Sequence, residues 1–197
     1  LTSARGGEKT PDMTIRNIAV LVGSLRKESL NRKMAHALAD LAGAAQKLEI
    51  VEIGNLNLYN ADLETNVPES WASFRDTVRR ADAALFVTPE YNRTIPGVLK
   101  NALDVGSRPY GKSVWSKKPA AVVSVSPGAL GAFGANHCLR QSLVFLDMPA
   151  MQQPEAYIGG ADKLFDPSGK LTNDTTREFL KKFVDAFGQW IERNIPR

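Results

Sequence analysis

The feature that most limits what this chain can become is a short apolar run that stops at a glycine. Ile18-Ala19-Val20-Leu21-Val22 is apolar throughout, as a strand buried on both faces of a parallel sheet must be. It ends in Gly23-Ser24-Leu25-Arg26-Lys27-Glu28-Ser29-Leu30-Asn31, and a helical pattern then runs from about Leu30 to Ala45. Strand, small-residue turn and helix, in that order, build a seat for an anion. The first helical turn offers unpaired backbone N–H groups and the positive end of the helix dipole. Ser24, Ser29 and Asn31 add neutral hydrogen bonds, and Arg26 adds a charged fork. A helix cap needs only one such residue. Three of them with an arginine, inside one short turn, favour a terminal phosphate over capping alone. No Gly-Lys-Ser/Thr follows, and the other glycines of G-x-G-x-x-G are missing. The stretch therefore reads neither as an ATPase loop nor as the usual dinucleotide loop.

The rest of the chain repeats the alternation. Further strands are expected over Leu48–Ile53, Ala83–Val87, Ala120–Val125 and Met148–Gln153. Helices are expected over Glu69–Ala81, Gly97–Gly106, Asn136–Phe145 and Asn173–Asn194. Trp71, Phe74 and Val78 share one stripe of the second helix; Phe179, Phe183, Phe187 and Trp190 share one stripe of the last. Gly54 to Pro68 is longer than a plain strand-to-helix connection and suits the rim of a site. Five strands alternating with five helices predict an α/β fold, a doubly wound parallel sheet. Residues 15–197 are expected to form this single domain, behind a polar N-terminal tail over residues 1–14.

Composition narrows the function classes. No apolar run approaches the ~20 residues that span a bilayer, and the polar first segment lacks the apolar middle of a signal peptide. A lone cysteine, Cys138, rules out an internal disulfide and a cysteine-rich metal site. Together these favour the cytoplasm. The net charge of +4 is carried by scattered basic residues that alternate with acids. That pattern suits anionic small substrates better than nucleic acid. Neither His36 nor His137 has a partner at ligand spacing, so both read as structural, and no metal is implied.

In an open parallel sheet the ligand lies beyond the carboxyl ends of the strands, at the switch point of the strand order. Two more loops there carry unusual residues. Thr88-Pro89-Glu90-Tyr91-Asn92 suits a flat polar heterocycle. Pro89 stiffens the turn, the N–H groups from Glu90 to Arg93 can face ring nitrogens and carbonyls, Tyr91 offers an aromatic face, and Asn92 can donate and accept. Ser126-Pro127-Gly128-Ala129-Leu130-Gly131-Ala132-Phe133-Gly134 offers a hydroxyl at Ser126 and glycines that permit close backbone approach. Each loop taken alone is also compatible with an ordinary turn that feeds a helix.

Two motifs together resemble a known family. Ser24-Leu25-Arg26-Lys27-x-Ser29-x-Asn31 is followed by Thr88-Pro89-Glu90-Tyr91-Asn92-x-x-Ile95-Pro96-Gly97-x-Leu99-Lys100-Asn101-Ala102-Leu103-Asp104. In this order and spacing they resemble the NADPH-dependent FMN reductases, and within them the bacterial chromate and quinone reductases, which include azo-reducing members. The likeness runs from about Asn17 to the last helix. It implies a flavodoxin-like sheet of order 2-1-3-4-5, bound FMN, NADH or NADPH as hydride donor, and homodimers that pair into homotetramers. It implies that Ser24, Arg26, Ser29 and Asn31 hold the FMN phosphate. Pro89, Glu90, Tyr91 and Asn92 would hold the isoalloxazine, and Ser126 and Gly128 would line its other edge. Relatives often carry an Arg and a Tyr where Gly134 and His137 stand here; Glu155, after the fifth strand, fits the family pattern.

The activity so implied is hydride transfer from NAD(P)H through flavin N5 to quinones, chromate or similar small acceptors, with no protein nucleophile. Arg108, after the third helix, is the candidate contact for an anionic acceptor or the cofactor phosphates. Glu90 is placed to pair with it or to sit beside the acceptor; a solvated rim arginine is the plainer alternative. Lys100 and Asp104, one turn apart, read as a helix-surface or interface pair. Two other classes stay open on the same fold: a one-electron carrier of the flavodoxin type, which is usually acidic, and a flavin-free binding or regulatory module.

Overall fold

The computed structural model describes residues 14–195. The expected tail, residues 1–14, lies outside the described residues except for Thr14. Five parallel strands form one sheet in the order β2-β1-β3-β4-β5. They are β1 (Arg16–Val22), β2 (Gln46–Val51), β3 (Ala83–Thr88), β4 (Ala120–Val125) and β5 (Ala156–Ile158). The helices are α1 (Leu30–Leu41), α2 (Glu69–Arg80), α3 (Gly97–Gly106), α4 (Phe133–Phe145) and α5 (Asp174–Asn194).

The central strands are buried throughout because each sheet face is covered. On one side Met34 and Leu38 of α1 and Leu180, Phe183, Val184, Phe187 and Ile191 of α5 pack on Ile18, Val20, Leu85 and Val123. On the other side α2, α3 and α4 bring Trp71, Phe74, Leu99, Leu139 and Leu143 against Leu21, Phe86 and Val122, with Trp115 beside them. The last helix buries a wider stripe than expected. Leu180, Val184 and Ile191 are in the core, and Phe179 and Trp190 are only partly covered.

The fifth strand is not where the apolar pattern put it. Met148–Gln153 runs beside the start of β4, joined through one bridge, Ala150 to Ala120, and the Met151 N–H to the Ala120 carbonyl. The strand proper is the three residues Ala156–Ile158, paired with Val123–Val125. Pro149 and Pro154 have no N–H to give a ladder, so the run between them cannot continue one. Glu155 therefore precedes the fifth strand instead of following it. α1 ends at Leu41, four residues early, because Gly43 turns the chain and its carbonyl accepts the Gln46 N–H. α4 begins at Phe133, three residues early.

The long segment after β2 is held down along its length. Asn101 of α3 accepts the Tyr59 N–H and donates to the carbonyls of Leu56 and Asn57. Trp71 donates to the Asn57 carbonyl and stacks on Tyr59. The buried Arg75 pairs with Glu64 at 2.6 Å and donates to the Val105 carbonyl. Among the described residues no helix is long and apolar enough to cross a membrane.

Candidate functional site

Three loops leave the carboxyl ends of β1, β3 and β4, which are neighbours in the sheet. The first two touch. The Gly23 N–H bonds the Val87 carbonyl, and a Cβ on Gly23 would stand 3.1 Å from the Pro89 ring and 3.2 Å from Thr88 Oγ1. A side chain there would press on the second loop, so the glycine lets the two loops lie close side by side.

In the first loop Ser29 caps α1, and its Oγ accepts the Arg32 N–H at 3.1 Å. The Lys33 N–H bonds the Ser29 carbonyl. The N–H groups of Leu30 and Asn31 have no preceding turn to bond and stay available. The nearby cations are sorted. Arg32 forks onto Glu52 with two contacts of 2.8 Å, and Lys33 pairs with Glu28 at 3.0 Å. That fork holds the Glu52 carboxyl below its ordinary value and raises Arg32. Arg26 and Lys27 are exposed and, among the described residues, join no carboxylate. Ser24 is buried. So is Asn31, whose Nδ2 reaches the Val125 carbonyl at a long 3.4 Å and whose Oδ1 has no partner among the described residues. A buried amide oxygen without a donor is costly in a finished fold. It fits a ligand whose hydroxyls donate there, beside a phosphate on the free N–H groups. FMN, with a polyol chain ending in phosphate, meets that donor and acceptor set.

The second loop is a tight hairpin. The Tyr91 N–H bonds the Thr94 carbonyl at 2.9 Å and the Thr94 N–H returns to the Tyr91 carbonyl at 3.1 Å. Asn92 and Arg93, the two central residues, both have positive φ, 50° and 67°. This is the turn that suits asparagine and strains arginine. The hairpin uses the Tyr91 N–H, which leaves those of Glu90, Asn92 and Arg93 from the expected set. Tyr91 and Asn92 are exposed and Pro89 is half-buried. The Glu90 side chain points toward α4, where Oε2 accepts the Ala135 N–H at 3.1 Å.

In the third loop the Ser126 Oγ accepts the Gly128 N–H at 3.0 Å, so its hydroxyl proton remains to be given. Gly128 is exposed. Gly131 has a reason the sequence did not show. At φ 57°, its Cβ would come within 2.6 Å of the Tyr157 carbonyl carbon, so the loop is pressed onto β5. Beneath the loop lies a buried polar network missed in the sequence. Ser124 donates to the Gly131 carbonyl, Asn136 donates to Ser124, and Arg140 donates to Asn136 and to the Met151 carbonyl. Its only signal was an asparagine inside an otherwise apolar helix face.

The structure brings Ser24, Arg26, Ser29, Asn31, Pro89, Glu90, Tyr91, Asn92, Ser126 and Gly128 to one end of the sheet. It does not bring Arg108 there. α3 carries the chain back from the carboxyl end of β3, so Arg108 stands about 15 Å lower, near the amino end of β4. There it bonds Ser107 Oγ at 3.1 Å, in a groove between α3 and α4 that includes Leu103 and Phe145. Lys100 and Asp104 pair along α3 at 2.7 Å. His36 is exposed. His137 packs against Phe133 and sits 3.0 Å from the Tyr157 hydroxyl. Burial, helped by the neighbouring Glu155, pushes that phenol up to about 12. Among the described residues no cluster of His, Cys, Asp and Glu is placed to hold a metal ion.

A five-stranded parallel sheet of this order, with three loops gathered at its switch point, defines a flavodoxin-like α/β protein. Comparison with known proteins gives the family. The chain belongs to the NADPH-dependent FMN reductases, whose family model matches residues 16–163. It is 67% identical over 179 residues to a quinone reductase of Pseudomonas putida, covering 90% of this chain and 96% of the relative. It is 45% identical over 174 residues to a 2-hydroxy-1,4-benzoquinone reductase of a Burkholderia species, covering 88% and 95%. Among solved structures it resembles FerB of Paracoccus denitrificans, a flavoenzyme NAD(P)H:acceptor oxidoreductase. The TM-score is 0.88 and the identity 43%, over 92% of this chain and all of that one. Of the classes left open, the family is that of an enzyme: a flavoprotein oxidoreductase that uses FMN with NAD(P)H.

Proposed function

We propose that this enzyme passes reducing equivalents from NADH or NADPH to quinones, and to chromate and related small acceptors, in the cytoplasm. The observation that carries the reading is the seat at the head of α1. There, among the described residues, the buried Asn31 Oδ1 has no partner, the helix leaves the N–H groups of Leu30 and Asn31 free, and Arg26, in the same turn, joins no carboxylate. Arg26, Ser24, Ser29 and Asn31 hold the FMN phosphate and the chain behind it. Pro89, Tyr91 and Asn92 with the backbone of Glu90 border one side of the ring, and Ser126 and Gly128 border the other. Bound there, FMN supplies a hydride acceptor at N5 and a two-electron donor for the next substrate. The loops that carry Tyr91, Asn92, Ser126 and Gly128 would leave one face of the ring open, where the nucleotide and then the acceptor could be oriented in turn. The two relatives, a quinone reductase and a 2-hydroxy-1,4-benzoquinone reductase, support a quinone as acceptor.

Arg108 serves an anionic acceptor only across an interface between two copies. α4 is apolar inward at Leu139 and Leu143 and outward at Val144, 78% exposed, and Phe145, 84% exposed. A helix apolar on both sides calls for a cover on both. Lys100 and Asp104 lie one turn apart near the middle of α3. A two-fold axis through that middle sets each against the other in the second copy, and carries the foot of the partner's α3 to the head of this one. Homodimers of this kind, pairing into homotetramers, are the assembly we assign.

The visible spectrum tests the reading. Purified protein is expected to show a flavin spectrum that bleaches with anaerobic NADH or NADPH and returns when a quinone is added. A flavin spectrum that neither nucleotide alters would remove the reductase reading. A protein that takes up no FMN would remove the seat.

A further inference from the structure

The head of α4 poses a problem that its own sequence does not solve. The helix follows Ala132, held at φ 58°, and none of its neighbouring side chains caps it. The cap comes from 45 positions earlier: Glu90 Oε2 accepts the Ala135 N–H at 3.1 Å. The Glu90 side chain is 17% exposed; its other contact is Arg93 at 3.5 Å, a residue 80% exposed. The surroundings are shaped to this contact. A Cβ on Gly134 would stand 2.9 Å from Glu90 Oε2 and 3.0 Å from the Arg93 carbonyl. A second strut runs in parallel, with Thr94 Oγ1 2.9 Å from Cys138 Sγ. The β3 hairpin is thereby tied at two points to the first turns of α4.

We propose that Glu90 is a positioning residue whose carboxylate braces the β3 hairpin to the head of α4, fixing the distance between the two loops that flank the flavin ring. The proposal rests on the FMN reading above. A carboxylate at a helix N-terminus is favoured by the dipole and makes a charge-assisted bond to the N–H. Untied, the two loops would have to be ordered against each other when the ligand arrives. Tied, they are ordered in advance, and binding costs less. Gly134 has a role in this: it leaves room for the acid to reach the helix.

Glutamine separates this role from a direct one. Its amide oxygen accepts the same N–H, so the brace survives the loss of charge. A charge acting on the ligand itself would not survive it. The experiment is FMN titration, with amide hydrogen exchange at Ala135 in the flavin-free protein, on the parent, Glu90→Gln and Glu90→Ala. Glu90→Ala is expected to speed Ala135 exchange and to weaken FMN binding, each about five- to tenfold, the scale of a lost helix cap. Glu90→Gln is expected to restore both to within about threefold of the parent. A Gln variant that protects the amide yet binds FMN as poorly as the Ala variant would overturn the brace in favour of a direct charge effect. So would an Ala135 amide still protected in Glu90→Ala. Gly134→Ala reaches the contact from the other side and is expected to match Glu90→Ala, so the test stands if that variant does not fold; parent-like exchange in it would also overturn the proposal. A parent that binds no FMN would overturn the flavin reading, while the exchange measurement would still judge the brace.

Discussion

The proposed phosphate seat and ring slot adjoin each other but are assembled in opposite ways. The seat comes from one stretch, Ser24 to Asn31, in which strand, turn and helix cap follow in order. The slot comes from two loops far apart in the chain, held together by Glu90 on Ala135 and Thr94 on Cys138. The seat is also unfinished, with a buried Asn31 oxygen waiting for a donor. The slot loops are finished against each other and against β5, where Gly131 fits with no room for a side chain. A local site can leave groups open for a ligand, because the helix holds it in shape. A site of remote parts needs internal bonds merely to exist.

If that contrast is right, the largest effect on FMN binding comes from the seat. Arg26→Ala with Ser29→Ala is expected to weaken FMN by about 3 kcal/mol, one charge-assisted and one neutral hydrogen bond. Quenching of flavin fluorescence on binding reports it, and unchanged affinity would end the contrast. Next is Gly131→Ala in the slot. Its Cβ would meet backbone at 2.6 Å in a left-handed conformation. A loss of about 2 kcal/mol in unfolding free energy is expected, with FMN affinity falling too. A drop in stability with affinity intact would show that the β4 loop does not shape the slot.

Arg108→Ala is expected to raise KM for chromate about fivefold, roughly 1 kcal/mol, and to leave KM for an uncharged quinone in place. Steady-state kinetics with both acceptors decides it; equal KM values for chromate would return Arg108 to a solvated rim. The smallest effect concerns Glu52, which pairs with Arg32 beside the seat. Its carboxyl is held below the ordinary value of 4.5, first by the Arg32 hydrogen bonds. A lowered folded-state value means the pair stabilises above that ordinary value and is lost as pH falls through the lowered one. The side chain is 63% exposed, so solvent screens the pair to about 0.5 kcal/mol. Glu52→Gln is expected to melt slightly below the parent at pH 7 and together with it in strong acid. A constant gap across that range would remove the ion pair as its source.

What the sequence showed and what it hid divide along the same line. The β1 strand, its turn and α1 were legible because periodicity, glycine and cap all lie within one window. The doubly wound parallel sheet followed from alternation, its order from the family resemblance, and the burial of β3 from its unbroken apolar run. The fifth strand was misplaced because Met148–Gln153 is the longer apolar run, while the true strand is three residues behind a proline. The early start of α4 was hidden because its cap is Glu90. Arg108 could have been placed from topology: a helix that leaves the carboxyl end of one parallel strand must return to the amino end of the next.

Gly23, Thr88 and Pro89 carry a further meaning for anyone redesigning this enzyme. Because the proline ring and the threonine crowd the space a side chain at position 23 would enter, the β1 and β3 loops are not separate parts. A loop transplanted from a cousin brings its half of that contact without the other. Diversity introduced here is best inherited as a pair, with both loops drawn from the same donor.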